Sequence, residues 1–381
     1  RYEEHWLYST EETNHMINSN SRTYNYYSYE NQIDLYQQDH YQMHISHKFD
    51  QRLNLNTSLH YTRGKGYYEN YKPGEDLEDY LIPSITIGDE IVESSDIVYR
   101  KWLDNHFYGL TFSLNYQLGK GNFVLGGGWN KYDGDHYGNV IWAQFLGEAD
   151  FNHEYYRNNG SKKDFNIFGK YNYNLSESVS LFADLQYRKI NYELKGIDDD
   201  LRNITQDHSF NFFNPKAGIF VNPAVNHEFY LSFSVANREP NRTAYIDANP
   251  VNDPPVNETL YDWEAGYNYS SAGFSAAVNL YYMSYDDQLI LTGEINDTGN
   301  PMMVNIDDSY RTGIELQSGL KIFPGLEWKN NITVSQNKIK NFTEYVDDWD
   351  TGEQSVFEHG TTDIAFSPNL TGNSTLTFEP L

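Results

Sequence analysis

The sequence predicts an all-β fold, a transmembrane antiparallel β-barrel that is incomplete here. It reads as about 13 meandering strands with short turns at one end and long loops at the other. Three observations predict it: a two-residue hydropathy period, strict alternation of short and long connections, and negative charge gathered in the long ones. The chain has 381 residues, a net charge of −27, 39% apolar and 16% aromatic residues, and no cysteine. A disordered acidic chain would be poor in aromatics, and no run of about 18 apolar residues offers a membrane helix. The acidity argues against nucleic acid, whose phosphates need lysine and arginine stripes. The lack of cysteine excludes a disulfide scaffold, thiol catalysis and Cys-ligated zinc. No cofactor is expected.

The alternation starts near residue 35. In 53–61, Leu53, Leu55, Leu59 and Tyr61 share one face, against Asn54, Asn56, Ser58 and His60. In 179–188, Val179, Leu181, Ala183, Leu185 and Tyr187 oppose Ser180, Asp184, Gln186 and Arg188. Segment 261–269 sets Tyr261, Trp263, Ala265, Tyr267 and Tyr269 against Asp262, Glu264, Gly266 and Asn268. The next strand gives Phe274, Ala276, Val278, Leu280 and Tyr282, and similar patterns occur near 108–118, 165–175, 229–236, 312–322 and 328–336. No segment has a clear 3.6-residue period with caps.

Short turns are expected at 49–52, 119–122, 176–178, 223–226, 270–273 and 324–325. Long polar connections are expected at about 69–102, 133–162, 196–209, 238–258, 286–308 and 342–361. A soluble sandwich also alternates apolar and polar positions, but its loops need not sort by length. In an outer-membrane barrel they do, with short periplasmic turns and long extracellular loops. The six long connections together carry −26 of the chain's −27, so the strands and short turns are nearly neutral, as a lipid-facing wall requires. Plain solvation explains the acidic loops as well as a ligand role does. Trp129, Trp142 and Trp263 are candidates for the aromatic girdles, where an amphipathic ring sits between lipid and water.

The ends predict a fragment. The chain opens on Arg1, residues 1–34 read as loop and strand start, and an odd strand count leaves sheet edges that lipid cannot hydrate. VLGGGWNKYDGDHYGNVIWAQF at 124–145, SFSVANREPNRTAYID at 232–247, LYDWEAGYNYSSAGFSAAVNLYYMSYDDQLILTG at 260–293 and SYRTGIELQSG at 309–319 carry a resemblance. Together they resemble TonB-dependent outer-membrane receptors of the Bacteroidetes type. The resemblance implies a 22-stranded barrel closed around a plug, with this chain as roughly strands 6 to 18 of it. The plug domain, the TonB box and the last strands would lie elsewhere.

Asp133, Asp135 and His136, in KYDGDHYG, form the most concentrated polar group. They read either as a ligand or metal contact at the barrel mouth, or as a D-G turn whose carboxylates face water. Arg238, Arg242 and Tyr245 lie where a strand leaves the membrane. The resemblance implies contact with an anionic ligand or the plug, and the plain reading is a local salt bridge with Glu239 or Asp247. Asp348, Asp350, Gly352 and Glu353, and separately Asp198, Asp199 and Asp200, offer oxygen ligands for calcium, or are solvated loop tips. His40 and His44 share a face and His47 takes the other, which favours lumen-lining histidines over metal or haem capture. No motif such as G-x-S-x-G sets a nucleophile on a turn, so no enzyme is expected.

The resemblance implies a receptor in the outer membrane of a Gram-negative bacterium, importing a scarce nutrient and energised by the TonB complex through the plug. A ferric siderophore or similar small ligand is the leading cargo, with outer-membrane lipid as the other partner. A passive porin or surface adhesin is the alternative, and an outer-membrane hydrolase stands behind both.

Overall fold

The computed structural model describes residues 29–248, 254–295, 301–348, 351 and 353–380. From the N-terminal side, β1 (Ile33–Lys48) and β2 (Leu53–Asp76) form a hairpin, followed by a single 3-10 turn at Leu77–Tyr80. A small hairpin, β3 (Ile85–Ile87) and β4 (Glu90–Val92), precedes β5 (Ser94–Leu118), β6 (Gly121–Ala143) and β7 (His153–Asn174). Then come β8 (Val179–Gly196), β9 (Gln206–Ala224) and β10 (His227–Arg238), and the short helix α1 (Arg242–Asp247). The series continues with β11 (Glu258–Ser270), β12 (Phe274–Ile295), β13 (Pro301–Phe323) and β14 (Leu326–Ile339). A hairpin of β15 (Thr343–Asp348) and β16 (Glu353–Glu358) leads to β17 (Thr362–Asp363) and β18 (Leu370–Phe378).

One antiparallel sheet of 14 strands contains every long strand, each paired with its neighbour in sequence; β17 and β18 both pair with β14. The turns at one end are short: 49–52, 119–120, 175–178, 225–226, 271–273 and 324–325. The three two-residue turns each place a residue at positive φ, Gly119 at 59°, Asn226 at 75° and Gly325 at 91°, as such hairpin turns require. All long connections lie at the other end. No helix among the described residues is long and apolar enough to cross a membrane.

The register turns the alternation into two faces. Leu59, Leu110, Trp129 and Phe165 stand side by side across β2, β5, β6 and β7. Ala183, Ala217, Phe233, Trp263 and Tyr282 do the same across β8 to β12. This apolar belt is the outward face. Its upper edge on the first strands is the row Tyr41, Tyr61 and Tyr108. The inward face is polar: His40 Nδ1 lies 3.1 Å from Thr62 Oγ1, and His44 Nδ1 lies 2.8 Å from Ser58 Oγ. His47 sits on the outward face, its ring 4.5 Å from that of Phe49.

The strands run much further than the hydropathy pattern suggests. β2 and β5 extend deep into 69–102, and β6 and β7 fill most of 133–162. Past the belt the outward face changes from apolar to aromatic and charged, so the hydropathy alternation fades while the backbone pairing continues. The buried apolar clusters lie at this long-loop end. One joins Leu77, Tyr80, Ile82, Ile97, Tyr99, Val140, Tyr155 and Tyr156. The other joins Tyr192, Leu194 and Ile204 to Tyr245 and Ile246 of α1.

Candidate functional site

Two adjacent inward rows form the floor of a cavity of about 440 Å³ at the long-loop end. The first row is Tyr36, Gly66, Leu103, His136 and Asn158; the second is Asp34, Tyr68, Lys101, Gly138 and Tyr156. Glycine is needed at 138, because an added Cβ would overlap the rings of Tyr155 and Tyr156. Asp198 and Asp199 reach the cavity from the β8–β9 loop, and Arg242 reaches it from α1.

The segment after β10 crosses the inner face as a strap. Glu239 accepts a hydrogen bond from Lys162 Nζ at 2.5 Å and lies 3.1 Å from Arg188 Nη1. Arg188 also pairs with Asp164 at 2.5 Å. Burial alone would raise the Glu239 carboxyl, but the Lys162 hydrogen bond and the charges of Lys162 and Arg188 outweigh it and hold the group below the usual carboxylate range. Asn241 caps α1 through its side chain, accepting from the Ala244 amide at 2.8 Å. Tyr245 is buried and stacks on His208, ring centroids 3.8 Å apart.

Arg242 donates to Asn158 Oδ1 at 2.9 Å and lies 3.3 Å from Asp198 Oδ1. Its Nε is buried with no hydrogen-bond partner among the described residues. Lys101 pairs with Asp199. His136 lies on β6 beyond the apolar belt. Burial, and then the charge of Arg242, push its imidazole down to about 4, so it is neutral near pH 7. The cavity therefore combines two cations, three carboxylates (Asp34, Asp198 and Asp199), a neutral imidazole and the tyrosines Tyr36, Tyr68 and Tyr156.

Of the residues singled out in the sequence, the structure brings His136, Asp198, Asp199 and Arg242 together here. Asp133 and Asp135 belong to the opposite, outward face of β6. Gly134 between them is mid-strand, paired with Asn105 and Gly160, so KYDGDHYG forms no turn. Asn159 Nδ2 donates to both carboxylates, at 3.0 and 2.7 Å. Arg238 pairs with Glu258 of the neighbouring strand, and Tyr245 is part of the buried cluster rather than the cavity wall. Trp129 and Trp263 lie on the outward belt. Trp142 lies 13 residues past Trp129 on the same strand, about 40 Å further along it, which separates it from the belt. Asp198, Asp199 and Asp200 do not converge: each has its own cation, Arg242, Lys101 and Arg202 respectively. Asp350 and Gly352 lie outside the described residues. Lys101, Tyr36, Tyr68 and Tyr156 were not anticipated; their signal was the inward parity of positions set by the paired strands.

The sequence matches the TonB dependent receptor-like β-barrel family over residues 3–381, and the chain belongs to that family of Gram-negative outer-membrane barrels. No curated protein matches it. Among solved structures, the chain is similar to the ferric-catecholate import receptor Fiu of E. coli K12 in its closed form. The TM-score is 0.60 at 12% identity, over 97% of this chain and 55% of that one. It is similar to the copper transporter OprC at TM-score 0.67 and 11% identity, over 91% and 50% of the two chains. It is also similar to the siderophore receptor PiuA of Acinetobacter baumannii at 0.64 and 11%, over 92% and 54%. At these identities the likeness is one of fold, and the chain spans about half the length of each structure. The family and these neighbours are transport receptors rather than enzymes.

Proposed function

We propose that the chain is the middle-to-late barrel portion of an outer-membrane receptor for active import of a scarce nutrient. The cargo proposed is a ferric siderophore or a similar small ligand, and the energy comes from the TonB complex acting through a plug. The carrying observation is the inward cavity at the long-loop end, where Arg242 holds an unpartnered Nε beside Lys101 and three tyrosines. Tyrosines supply large, rigid contact area at low entropic cost, and the two cations supply donors for anionic oxygens.

In this reading an anionic group of the ligand competes with Asp198 and Asp199 for Arg242 and Lys101. Binding then loosens the β8–β9 loop from α1 and from β5, so occupancy is felt at the strap. The names of Fiu and PiuA, a ferric-catecholate import receptor and a siderophore receptor, support this cargo class. The test is uptake of iron presented as single ferric siderophores by a deletion strain carrying the full-length gene. The reading expects TonB-dependent uptake that falls at least about tenfold in the Lys101→Ala, Arg242→Ala double variant. Uptake unchanged by deletion of the gene rejects the cargo, and ion conduction without TonB points to a porin.

A further inference from the structure

Above the belt, the outward face of β2, β5, β6 and β7 carries a second aromatic row. Tyr67, Trp102 and Tyr137 are cross-strand neighbours. The Tyr67 and Trp102 rings are 4.5 Å apart, and Trp102 and Tyr137 stack at 5.8 Å and 7°. A cation lies over each ring: Arg100 at 4.3 Å from Tyr67, Lys65 at 5.7 Å from Trp102, and Arg157 at 4.1 Å from Tyr137. For Lys65 and Arg100 the matching carboxylate is sunk beneath, whereas Asp135 and Glu154 are nearly as exposed as Arg157. The Lys65 side chain is 51% exposed against 20% for Asp104, and Arg100 is 33% exposed against 3% for Glu69. Between this row and the belt lie Arg63 with Asp104 and Lys131 with Asp133. Asp135 and Glu154 share Arg157, and Asp39 is the cross-strand neighbour of Arg63.

We propose that this patch seats the sugar-phosphate headgroup of a glycolipid in the surrounding leaflet. The inference rests on the outer-membrane placement proposed above. Three features select the occupant. The patch continues the lipid-facing belt on the same face, so what lies against it belongs to the bilayer. Trp102 stands six residues past Tyr108 on β5, about 20 Å along the strand and about 15 Å in height at the usual tilt. A phospholipid headgroup layer is only about 5–7 Å deep, so the patch is level with sugars that extend beyond it. The charges nearest solvent over Tyr67 and Trp102 are cations, complementary to phosphate, and the flat rings match the apolar faces of sugars.

The test uses full-length protein purified in mild detergent from outer membranes, then exchanged against truncated lipopolysaccharide bearing its lipid A phosphates and inner sugars. Retained glycolipid is counted by native mass spectrometry. Lys65→Ala with Trp102→Ala should lower retention about tenfold, while the inward Asn130→Ala leaves it unchanged. The milder Trp102→Phe, which keeps a ring, should retain most of it and guards against a folding artefact. Equal retention by the wild type and the double variant overturns the proposal, as does preference for phosphatidylethanolamine or capture of a protein on the patch instead. Recovery of the wild type in the outer-membrane fraction reports separately on the placement.

Discussion

Arg242 Nη2 on α1 donates to Asn158 Oδ1 on β7 at 2.9 Å, joining residues 84 positions apart. The same guanidinium faces Asp198 and depresses the His136 imidazole. Replacing Arg242 with Ala removes one of two causes of that depression and leaves the burial. The His136 pKa should rise from about 4 but stay below the ordinary histidine value. Histidine-selective NMR titration reads this directly, and an unchanged pKa contradicts the placement of Arg242 in the cavity.

The strap should respond to acid through Glu239. A carboxyl with a depressed folded-state pKa contributes stability above its ordinary pKa, and that contribution is lost as pH falls through the folded value. Protease nicking at 239–248 is therefore expected to increase in acid well below pH 4.5, the ordinary value of this group. Glu239→Gln should open the strap already at pH 7, by roughly 2 kcal/mol, and flatten the pH dependence.

Tyr245 separates packing from hydrogen bonding. Its ring is buried against His208 and Tyr192, but its hydroxyl has no partner among the described residues. Tyr245→Phe should leave amide protection of α1 within about 0.5 kcal/mol of the wild type. Tyr245→Ala should lower it by roughly 3 kcal/mol. Hydrogen exchange measures both, and equal effects would remove the packing role.

The two faces predict opposite outcomes for neighbouring substitutions on β10. Leu231 faces outward in mid-belt and Ser232 faces inward. Leu231→Arg should destabilise the barrel by about 2–4 kcal/mol, whereas Ser232→Arg should cost much less. Denaturant unfolding from vesicles distinguishes them.

The faces of the belt were legible because lipid forces every second residue to be apolar, as Leu181, Ala183 and Leu185 show. That rule lapses where strands leave lipid, which is why the D-G pair at 133–134 read as a turn although it lies within β6. Helix α1 escaped because six residues are too few to show a 3.6-residue period. The cavity escaped for a different reason. Lys101, His136, Asp198 and Arg242 come from four separate segments, and only the strand register and the folded strap bring them together.

The measurement that bears most directly on the account exploits the absence of cysteine in this sequence. Single nitroxide-labelled cysteines at 229–235 of β10 and 131–138 of β6, in full-length protein with any cysteine outside these 381 residues replaced by serine, in vesicles, report contact with oxygen in lipid and with a water-soluble nickel chelate. A two-residue period is predicted on β10, with Leu231 and Phe233 in lipid and Ser232 and Ser234 in water. On β6 both faces should be wet beyond Lys131, with His136 shielded from the chelate relative to Asp133 and Asp135. Loss of the period on β10, or a lipid signal at His136, would contradict it.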